Sequence, residues 1–290
     1  MTIEEEIKQF AIQQGADRVG IASVADINKY APPGHRPDDI LTDAKSVITF
    51  AKRPIRGAWH SPNYRTPYYT QIWGILPGIS NAVAEMIESK YGYYSLDMVP
   101  DIGLEAYPSF KLCAEMAGLG TRSMAASILL NSELGLLQLG ICPTTMPLVA
   151  DAPMKEPVCP HPSCVKLWER EKTTPCLATC PMCLSGELEN GQIKWMKYDR
   201  RICSTRSEGE SMNAFLKTLV EATNEPDAEV RRSMLLGDFP RRAIEMVGYG
   251  SFYAHCYECV RHCPICIQAR TLKVKKPNPN IVTELINKEA

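Results

Sequence analysis

The sequence predicts a mixed fold of helices and strands, either α/β or α+β, followed by a small cysteine-rich part. Helical and extended patterns alternate over the first half of the chain, as they do in both mixed fold classes. Five prolines between Pro143 and Pro160 then mark a domain boundary. Beyond it a Cys-x3-Cys-Pro unit occurs twice, ending at Cys180-Pro181 and at Cys263-Pro264. We therefore expect one larger domain and one smaller domain organised by its cysteines.

The predicted elements of the first part follow from the spacing of apolar residues. An amphipathic helix is predicted at residues 3–14, where Ile3, Ile7, Phe10 and Ala11 share one face. Further helices are predicted at about 78–91, 109–117 and 121–130, and strands at 18–24, 45–51, 93–99 and 136–142. Residues 56–71 are aromatic, rich in proline and irregular. This part, residues 1–150, is the predicted mixed domain.

The second part, residues 151–272, is predicted to be the cysteine-rich domain. A charged and mostly helical insert at about 211–247 interrupts it, and residues 273–290 form a basic tail over the surface. A chain of 290 residues is long enough for one large core with a small appended domain.

The composition and net charge of the chain limit the classes of function that the sequence predicts. Hydrophobic residues make up 45% and charged residues 22% of the chain, as in soluble globular proteins. The net charge of -1 argues against a nucleic-acid partner and against an anionic membrane surface. No apolar run reaches membrane-spanning length, and the acidic N-terminus is unlike a signal peptide. We therefore expect a cytoplasmic protein.

The twelve cysteines point to metal binding, because disulfides are rare in a reducing compartment. A Cys-x3-Cys-Pro unit, in which three residues separate the two cysteines, is the closing half of the bacterial ferredoxin motif, and its Cys before Pro ligates the other cluster. Iron–sulfur clusters are thus the main prediction. Zinc is the alternative, since Cys-x2-Cys pairs also hold tetrahedral zinc.

Eight cysteines are assigned to two [4Fe–4S] clusters. The first cluster takes Cys159, Cys164, Cys176 and Cys263, and the second takes Cys180, Cys203, Cys256 and Cys259. Cys183 is the substitute if one ligand fails. Cys183 and Cys266 are otherwise expected to be packed thiols, and Cys113 and Cys142 to be core residues.

Residues 110–148 resemble the segment that precedes the double-cluster domain in epoxyqueuosine reductases and corrinoid reductive dehalogenases. The resemblance is carried by the helix break Ala117-Gly-Leu-Gly120 and by the leucine-rich strand and Leu-Gly strand that follow. It continues in order elsewhere, in Gly15-Ala-Asp-Arg-Val-Gly-Ile-Ala, Ala44-Lys-Ser-Val-Ile and Asp199-Arg-Arg-Ile-Cys203. It therefore covers most of residues 1–270.

The resemblance implies an α+β fold: a nitroreductase-like domain that binds cobalamin, followed by a ferredoxin-like double [4Fe–4S] domain. It further implies an oxidoreductase that passes single electrons from the clusters to cobalamin, with an upstream donor such as ferredoxin or flavodoxin and anaerobic chemistry. Where the family has a Gly-Lys-Asn or Gly-Arg-Asn motif, this chain has Ser123-Met-Ala. That departure and the near-neutral charge argue against epoxyqueuosine in tRNA, so a small-molecule substrate is expected.

Candidate site residues follow from the resemblance and from side-chain chemistry. A proton donor is expected among Tyr68, Tyr69, Asp101 and Glu105. Cofactor binding is expected from Tyr64, Arg65, Gly118, Gly120, Arg122 and Ser123, the glycines by letting backbone approach the cofactor. Two alternatives stay open: a non-catalytic electron carrier or corrinoid-handling protein, and a reductase that uses flavin in the same cleft.

Overall fold

The described part of the chain combines helices with strands that pair only antiparallel, so the fold is α+β rather than α/β. The computed structural model describes residues 1–60, 74–98, 108–199, 202–203, 219–238 and 258–270. Within those ranges no helix is long and apolar enough to cross a membrane.

Three strands form the central sheet. They are β1 (Arg18–Ser23), β2 (Ser46–Lys52) and β6 (Gln138–Thr144), in the order β1-β2-β6. The middle strand β2 is buried on both faces from Ser46 to Ala51, because helices cover the sheet on either side. All three strands lie within about one residue or two of the predicted ranges, and those predictions are confirmed.

The helices on the first face are Ile3–Gln13 and Leu76–Met86. A capping box between Thr2 and Glu5 starts the first helix, since each side chain accepts from the other residue's backbone N–H. The second continues as a π-helical turn, Ile87–Tyr91, and ends at Gly92, which has a positive φ of 72°. Both helices bury apolar side chains against Ile48 and Phe50 of β2.

On the opposite face, the helix Phe110–Met116 packs against all three strands. Short helices occupy Val24–Ile27, Pro37–Ile40 and, as a 3-10 helix, Arg56–His60. The predicted strand at 93–99 is wrong for its described residues, which make only isolated bridges at Ser95 and Met98. The segment is tied to the sheet edge by these bridges, so its pattern of burial resembles that of a strand.

The predicted helix at 121–130 is also wrong. The segment forms β3 (Thr121–Arg122) and β4 (Leu129–Asn131), and β4 pairs in turn with β5 (Gly135–Leu136). Ala126 and Ser127, with φ of 54° and 53°, reverse the chain between β3 and β4. The segment is buried almost throughout, and burial on all sides removes the periodicity that would distinguish strand from helix.

The cysteine-rich part is built from short helices and one hairpin. The helices are Pro162–Glu171, Pro175–Thr179, Glu258–Arg261 and Pro264–Arg270, and the hairpin joins β7 (Leu184–Glu189) to β8 (Gln192–Tyr198). The insert contains helical residues 219–224, the helix Ala228–Ser233 and the π-helical turn Met234–Asp238.

Specific contacts join the cysteine-rich part to the segment that carries β3, β4 and β5 and to the 3-10 helix Arg56–His60. The Val158 backbone N–H donates to Thr121 Oγ1 at 2.8 Å, and Arg56 Nε donates to the Ala269 carbonyl at 3.2 Å. The last helix packs directly on Gly135, where an added Cβ would lie 2.8 Å from Ala269 Cβ. The cysteines are thereby held against one edge of the first part.

Candidate iron–sulfur and cofactor site

The structure brings together the four cysteines predicted for the first cluster, which we call the first thiol group. Burial raises the pKa of Cys159 to about 12, and three neighbouring thiols raise it further. Those neighbours are Cys164, Cys176 and Cys263. Burial likewise raises the pKa of Cys164 to about 11, with Cys263 and Cys176 adding to the shift. All four side chains are buried and none forms a disulfide.

Three separate segments position the first thiol group. Cys164 lies in the first turn of the Pro162–Glu171 helix, and its backbone N–H bonds to the His161 carbonyl at 2.8 Å. Cys176 lies in the Pro175–Thr179 helix, which packs against the Glu258–Arg261 helix. Cys263 follows that second helix, where its backbone N–H bonds to the Val260 carbonyl at 3.0 Å. Segments distant in the sequence thus carry thiols that lie close enough to raise one another's pKa.

Thiolates are ligands of both zinc and iron–sulfur clusters, and the two kinds of site differ in how far apart the sulfurs lie. Among the described Cys, His, Asp and Glu residues, no three are placed so that they could hold a metal ion. Four thiolates around one zinc ion would lie roughly 3.8 Å apart, given bonds of about 2.3 Å in a tetrahedron. A cluster occupies the space between its ligands and requires a wider set of soft sulfur donors. The first thiol group consists of buried thiols, the type of donor that such a cluster takes.

Hydrogen-bond donors already face this group. The Met124 backbone N–H lowers the pKa of Cys159, and the Ser163 side chain lowers that of Cys164, although burial dominates both shifts. Donors of this kind favour a deprotonated, metal-bound sulfur. Met124 belongs to the β3–β4 turn, so the first part of the chain contributes directly to the sulfur environment.

A second thiol group surrounds Tyr198 and consists of Cys183, Cys203 and Cys259. Burial raises the pKa of the Tyr198 hydroxyl, and contact with the Cys203 thiol and the proximity of the other two add to this. The Cys203 backbone N–H bonds to the Asp199 carbonyl at 3.1 Å, which places Cys203 one helical turn from the hairpin. Of the residues predicted for the second cluster, Cys203 and Cys259 therefore lie together.

The other predicted ligands of the second cluster are Cys180 and Cys256. Cys180 is buried, and its carbonyl accepts from the Cys183 backbone N–H at 3.3 Å, so both thiols occupy one turn. Cys256 lies outside the described residues. Cys183, the predicted substitute, is one of the thiols that raise the pKa of the Tyr198 hydroxyl. Its role as a ligand stays a prediction.

Cys113, Cys142 and Cys266 are buried, as expected for packed thiols. Burial raises the pKa of Cys113 to about 12 and also raises the pKa of Cys142. Cys113 and Cys142 lie in the hydrophobic cores on the two faces of the central sheet. They belong to neither the first nor the second thiol group. The prediction that these two are core residues is confirmed.

The predicted cofactor-binding glycines have partners inside the chain. A Cβ on Gly118, where φ is 70°, would lie 2.4 Å from the Ala152 carbonyl oxygen. A Cβ on Gly120 would lie 2.6 Å from the Leu130 carbonyl oxygen. The lack of a side chain at both glycines therefore lets two backbone segments of the protein lie in close contact. Their predicted role in cofactor binding remains a prediction, with this packing role beside it.

Arg122 and Ser123 also bond internally. Arg122 Nε donates to Glu115 Oε2 at 2.9 Å, and Arg122 NH1 donates to Ser127 Oγ at 3.1 Å. The buried Ser123 hydroxyl donates to the Ile128 carbonyl at 2.7 Å and closes the β3–β4 turn. The remaining candidates, Tyr64, Arg65, Tyr68, Tyr69, Asp101 and Glu105, lie outside the described residues.

Sequence reasoning missed three groups that contact the thiols: Met124, Thr174 and Tyr198. Met124 was noted only as a departure from the family motif. Tyr198 ends β8, directly before the Asp199-Arg-Arg-Ile-Cys203 motif, and that adjacency to Cys203 was the available signal. Thr174 precedes the Cys176 unit by two residues and carries no motif of its own.

No protein-family model matches the sequence, and no curated protein matches it. Solved structures do match. Epoxyqueuosine reductase from Streptococcus thermophilus is 17% identical, with a TM-score of 0.53 over 97% of this chain and 70% of that one. A reductive dehalogenase described as suggesting a mechanism for B12-dependent dehalogenation is 16% identical, with a TM-score of 0.50 over 92% of this chain and 38% of that one.

A third match corrects the prediction about partners. Epoxyqueuosine reductase in complex with an epoxyqueuosine-modified tRNA-Tyr stem loop is 17% identical, with a TM-score of 0.50 over 96% of this chain and 70% of that one. A protein of this fold therefore takes a nucleic acid. The expectation of a small-molecule substrate and no nucleic acid, drawn largely from a net charge of -1, is wrong as a general exclusion.

These matches span nearly the whole chain, and they agree with the sequence resemblance in naming the same two kinds of reductase. The chain therefore shares its fold with epoxyqueuosine reductases and with a reductive dehalogenase, at low sequence identity.

Proposed function

We propose that this chain is an iron–sulfur oxidoreductase in which two [4Fe–4S] clusters pass single electrons to a cobalamin in the first part of the chain. The observation that carries the proposal is the convergence of Cys159, Cys164, Cys176 and Cys263 into one buried thiol group. Buried thiols are costly to ionise, and iron binding removes that cost because it replaces the protons.

The residues of the chain have three tasks in this account. The cysteines hold the clusters, and the surrounding apolar side chains, among them Leu177, Leu184 and Val260, exclude water from the sulfurs. The Met124 backbone N–H forms a hydrogen bond to the Cys159 sulfur, and the Ser163 side chain forms one to the Cys164 sulfur. Exclusion of water and hydrogen bonds to sulfur are both determinants of cluster potential.

The β3–β4 turn is the proposed link between the clusters and the cofactor. Its residues Met124, Ala125 and Ala126 share one buried core with Cys159 and Cys176. Gly118, Gly120, Arg122 and Ser123, the proposed cofactor-binding residues, belong to the same stretch of chain. When bound, cobalamin would supply a cobalt centre able to carry out reductive chemistry that side chains cannot. The domain division at residue 150 and the proton donors among Tyr68, Tyr69, Asp101 and Glu105 are parts of this proposal.

A non-catalytic electron carrier is the second candidate. The observation that favours it is the internal bonding of Arg122 and Ser123, together with the close contacts at Gly118 and Gly120. These residues therefore form hydrogen bonds or close packing contacts within the chain itself. A carrier would keep the clusters and bind no cobalamin.

Cobalamin binding separates the two candidates. Anaerobically purified protein is incubated with cobalamin and desalted, and cobalt is measured with iron. A reductase requires about one cobalt per chain beside about eight irons, and reduction of the bound corrinoid, seen in its absorption spectrum, when the clusters are reduced. Eight irons without cobalt would contradict the reductase and leave the carrier. A cysteine-to-alanine variant of Cys176 is the control for the electron path, because it binds corrinoid but reduces it more slowly.

RNA belongs in the substrate screen, since a protein of this fold is solved with a tRNA stem loop. The assay is retention of a radiolabelled tRNA stem loop by the iron-loaded chain at several salt concentrations. Specific binding should weaken steeply with salt, as contacts to phosphates release counterions. Absence of binding even at low salt would exclude RNA as the substrate while leaving the electron path intact.

A further inference from the structure

The feature that carries a further inference is the hydroxyl of Thr174. Thr174 is 2% exposed, and its Oγ1 lies 3.2 Å from the Cys176 Sγ atom. The residue occupies the N-cap position of the Pro175–Thr179 helix, but its side chain makes no capping hydrogen bond. A threonine at that position ordinarily accepts from a backbone N–H of the first turn. Here the hydroxyl is turned to the sulfur instead.

Among the described residues, the Cys176 sulfur is the main hydrogen-bond partner of this hydroxyl. Thr174 Oγ1 also lies 3.8 Å from the Met124 Sδ atom, and a thioether is only a weak acceptor. While Cys176 is a thiol, either atom of the Thr174–Cys176 pair can be the donor. An iron-bound thiolate has no proton, so the hydroxyl must then donate and the sulfur must accept.

We infer that Thr174 is a positioning residue that raises the reduction potential of the cluster held by the first thiol group. The inference rests on the proposed function, because it requires a cluster on Cys176. Reduction adds one negative charge to the cluster, and part of that charge resides on the ligand sulfurs. A hydroxyl that donates to one of them stabilises the reduced form more than the oxidised form. The buried setting strengthens the effect, since little water screens it.

Removal of the hydroxyl should make one cluster harder to reduce. We expect Thr174→Val to lower the ratio of reduced to oxidised cluster about tenfold at a fixed applied potential, which corresponds to about 59 mV for one electron. The other cluster should keep its potential. Thr174→Ser, which retains the hydroxyl, should keep both potentials near those of the original protein.

Thr173 offers a matched control next to the test residue. Its hydroxyl donates to the Thr174 carbonyl at 3.4 Å and has no bond to a sulfur, so Thr173→Val makes the same chemical change without touching the cluster. Thr174→Ala is a second test variant, in case valine does not fit the buried position. The inference requires that the reduction potential of this cluster be higher in Thr174→Ser than in Thr174→Ala and Thr174→Val.

The experiment is a redox titration of anaerobically reconstituted protein, followed by electron paramagnetic resonance of the reduced clusters. Iron is counted first in every variant. If the unsubstituted chain binds no iron, the proposed function fails and this inference fails with it. If iron is complete and the hydroxyl-free variants keep both potentials, the inference alone is overturned. A drop in one potential in Thr174→Val or Thr174→Ala, absent in Thr174→Ser and Thr173→Val, is the expected result.

Discussion

At the scale of residues, the site is defined by buried thiols. Burial disfavours a charged sulfur, so the pKa of Cys159 rises to about 12 and that of Cys164 to about 11. The sequence predicted that these four cysteines ligate one cluster, and their thiols lie close enough to influence the pKa of Cys159. Their role as ligands stays a prediction. The sequence did not predict Thr174 or Tyr198 beside the thiols, since both reach the sulfurs through tertiary packing that no spacing encodes.

The raised thiol pKa values predict a loss of stability at alkaline pH for metal-free protein. Free thiols titrate near pH 8.5 in an unfolded chain, and Cys159 and Cys164 titrate near pH 12 and 11 in the folded one. The folded state therefore binds protons more tightly, and this contribution is complete below about pH 8.5. It is lost as the pH rises toward 11 and 12.

Urea unfolding of metal-free protein at pH 7, 8.5 and 10 measures this effect. The midpoint should fall between pH 8.5 and 10 more steeply than in a variant with serine at both Cys159 and Cys164. Equal slopes for the two proteins would show that other groups account for the alkaline decline.

Cys113 should resist alkylation in the folded protein. Its pKa of about 12 leaves almost no thiolate at pH 8, and the side chain is fully buried. Mass spectrometry after iodoacetamide treatment should find Cys113 unmodified in native protein and modified after unfolding in urea. Rapid labelling of Cys113 in native protein, at a rate like that of a free thiol, would contradict the burial described above.

At the scale of elements, sequence patterns predicted the strands of the central sheet and the first helix but not the short β3–β4 segment. The strands β1, β2 and β6 and the helix Ile3–Gln13 were predicted because their patterns of burial are regular. The segment at 121–130 was predicted as a helix, yet it forms the β3–β4 turn. Its burial on all sides comes from the cysteine-rich part, which a local pattern cannot reveal.

The glycine at position 120 is expected to be essential for the packing of β3 on β4. Gly120→Ala would place a Cβ 2.6 Å from the Leu130 carbonyl oxygen, and backbone must shift to admit it. We expect a loss of about 1–3 kcal/mol in the free energy of unfolding, as for other overpacked positions. Urea denaturation monitored by circular dichroism measures it.

Gly78→Ala is the matched control for that substitution. Gly78 is exposed in the Leu76–Met86 helix, with nothing within 4 Å of an added Cβ. Alanine should stabilise the helix there by roughly 0.5–1 kcal/mol. Opposite signs for the two variants support the described packing, and a neutral Gly120→Ala would refute it.

The second cluster is expected to depend on the Cys-x2-Cys pair near the end of the chain. Replacement of Cys256 and Cys259 by alanine should remove about half of the iron, because each of two four-iron clusters holds four. Iron and protein assays on the purified variant measure this. A variant that retains its full iron content would overturn the assignment of these two ligands, and Cys113→Ala serves as the control that should retain all of it.

At the scale of the whole molecule, the fold was predicted from motifs and the partner was not. The motifs at Gly15, Ala44 and Asp199 lie in order along the chain, and the solved structures described above are reductases of the two predicted kinds. The exclusion of nucleic acid failed because net charge is a sum over the whole surface. A local basic surface can coexist with a net charge of -1.

The measurement that tests the central claim most directly is the content of iron, acid-labile sulfide and zinc in anaerobically purified protein. The account predicts about eight irons and eight sulfides per chain, in two four-iron clusters, and only trace zinc. Zinc in place of iron, with no sulfide, would contradict the account, since a redox-inert ion cannot carry electrons.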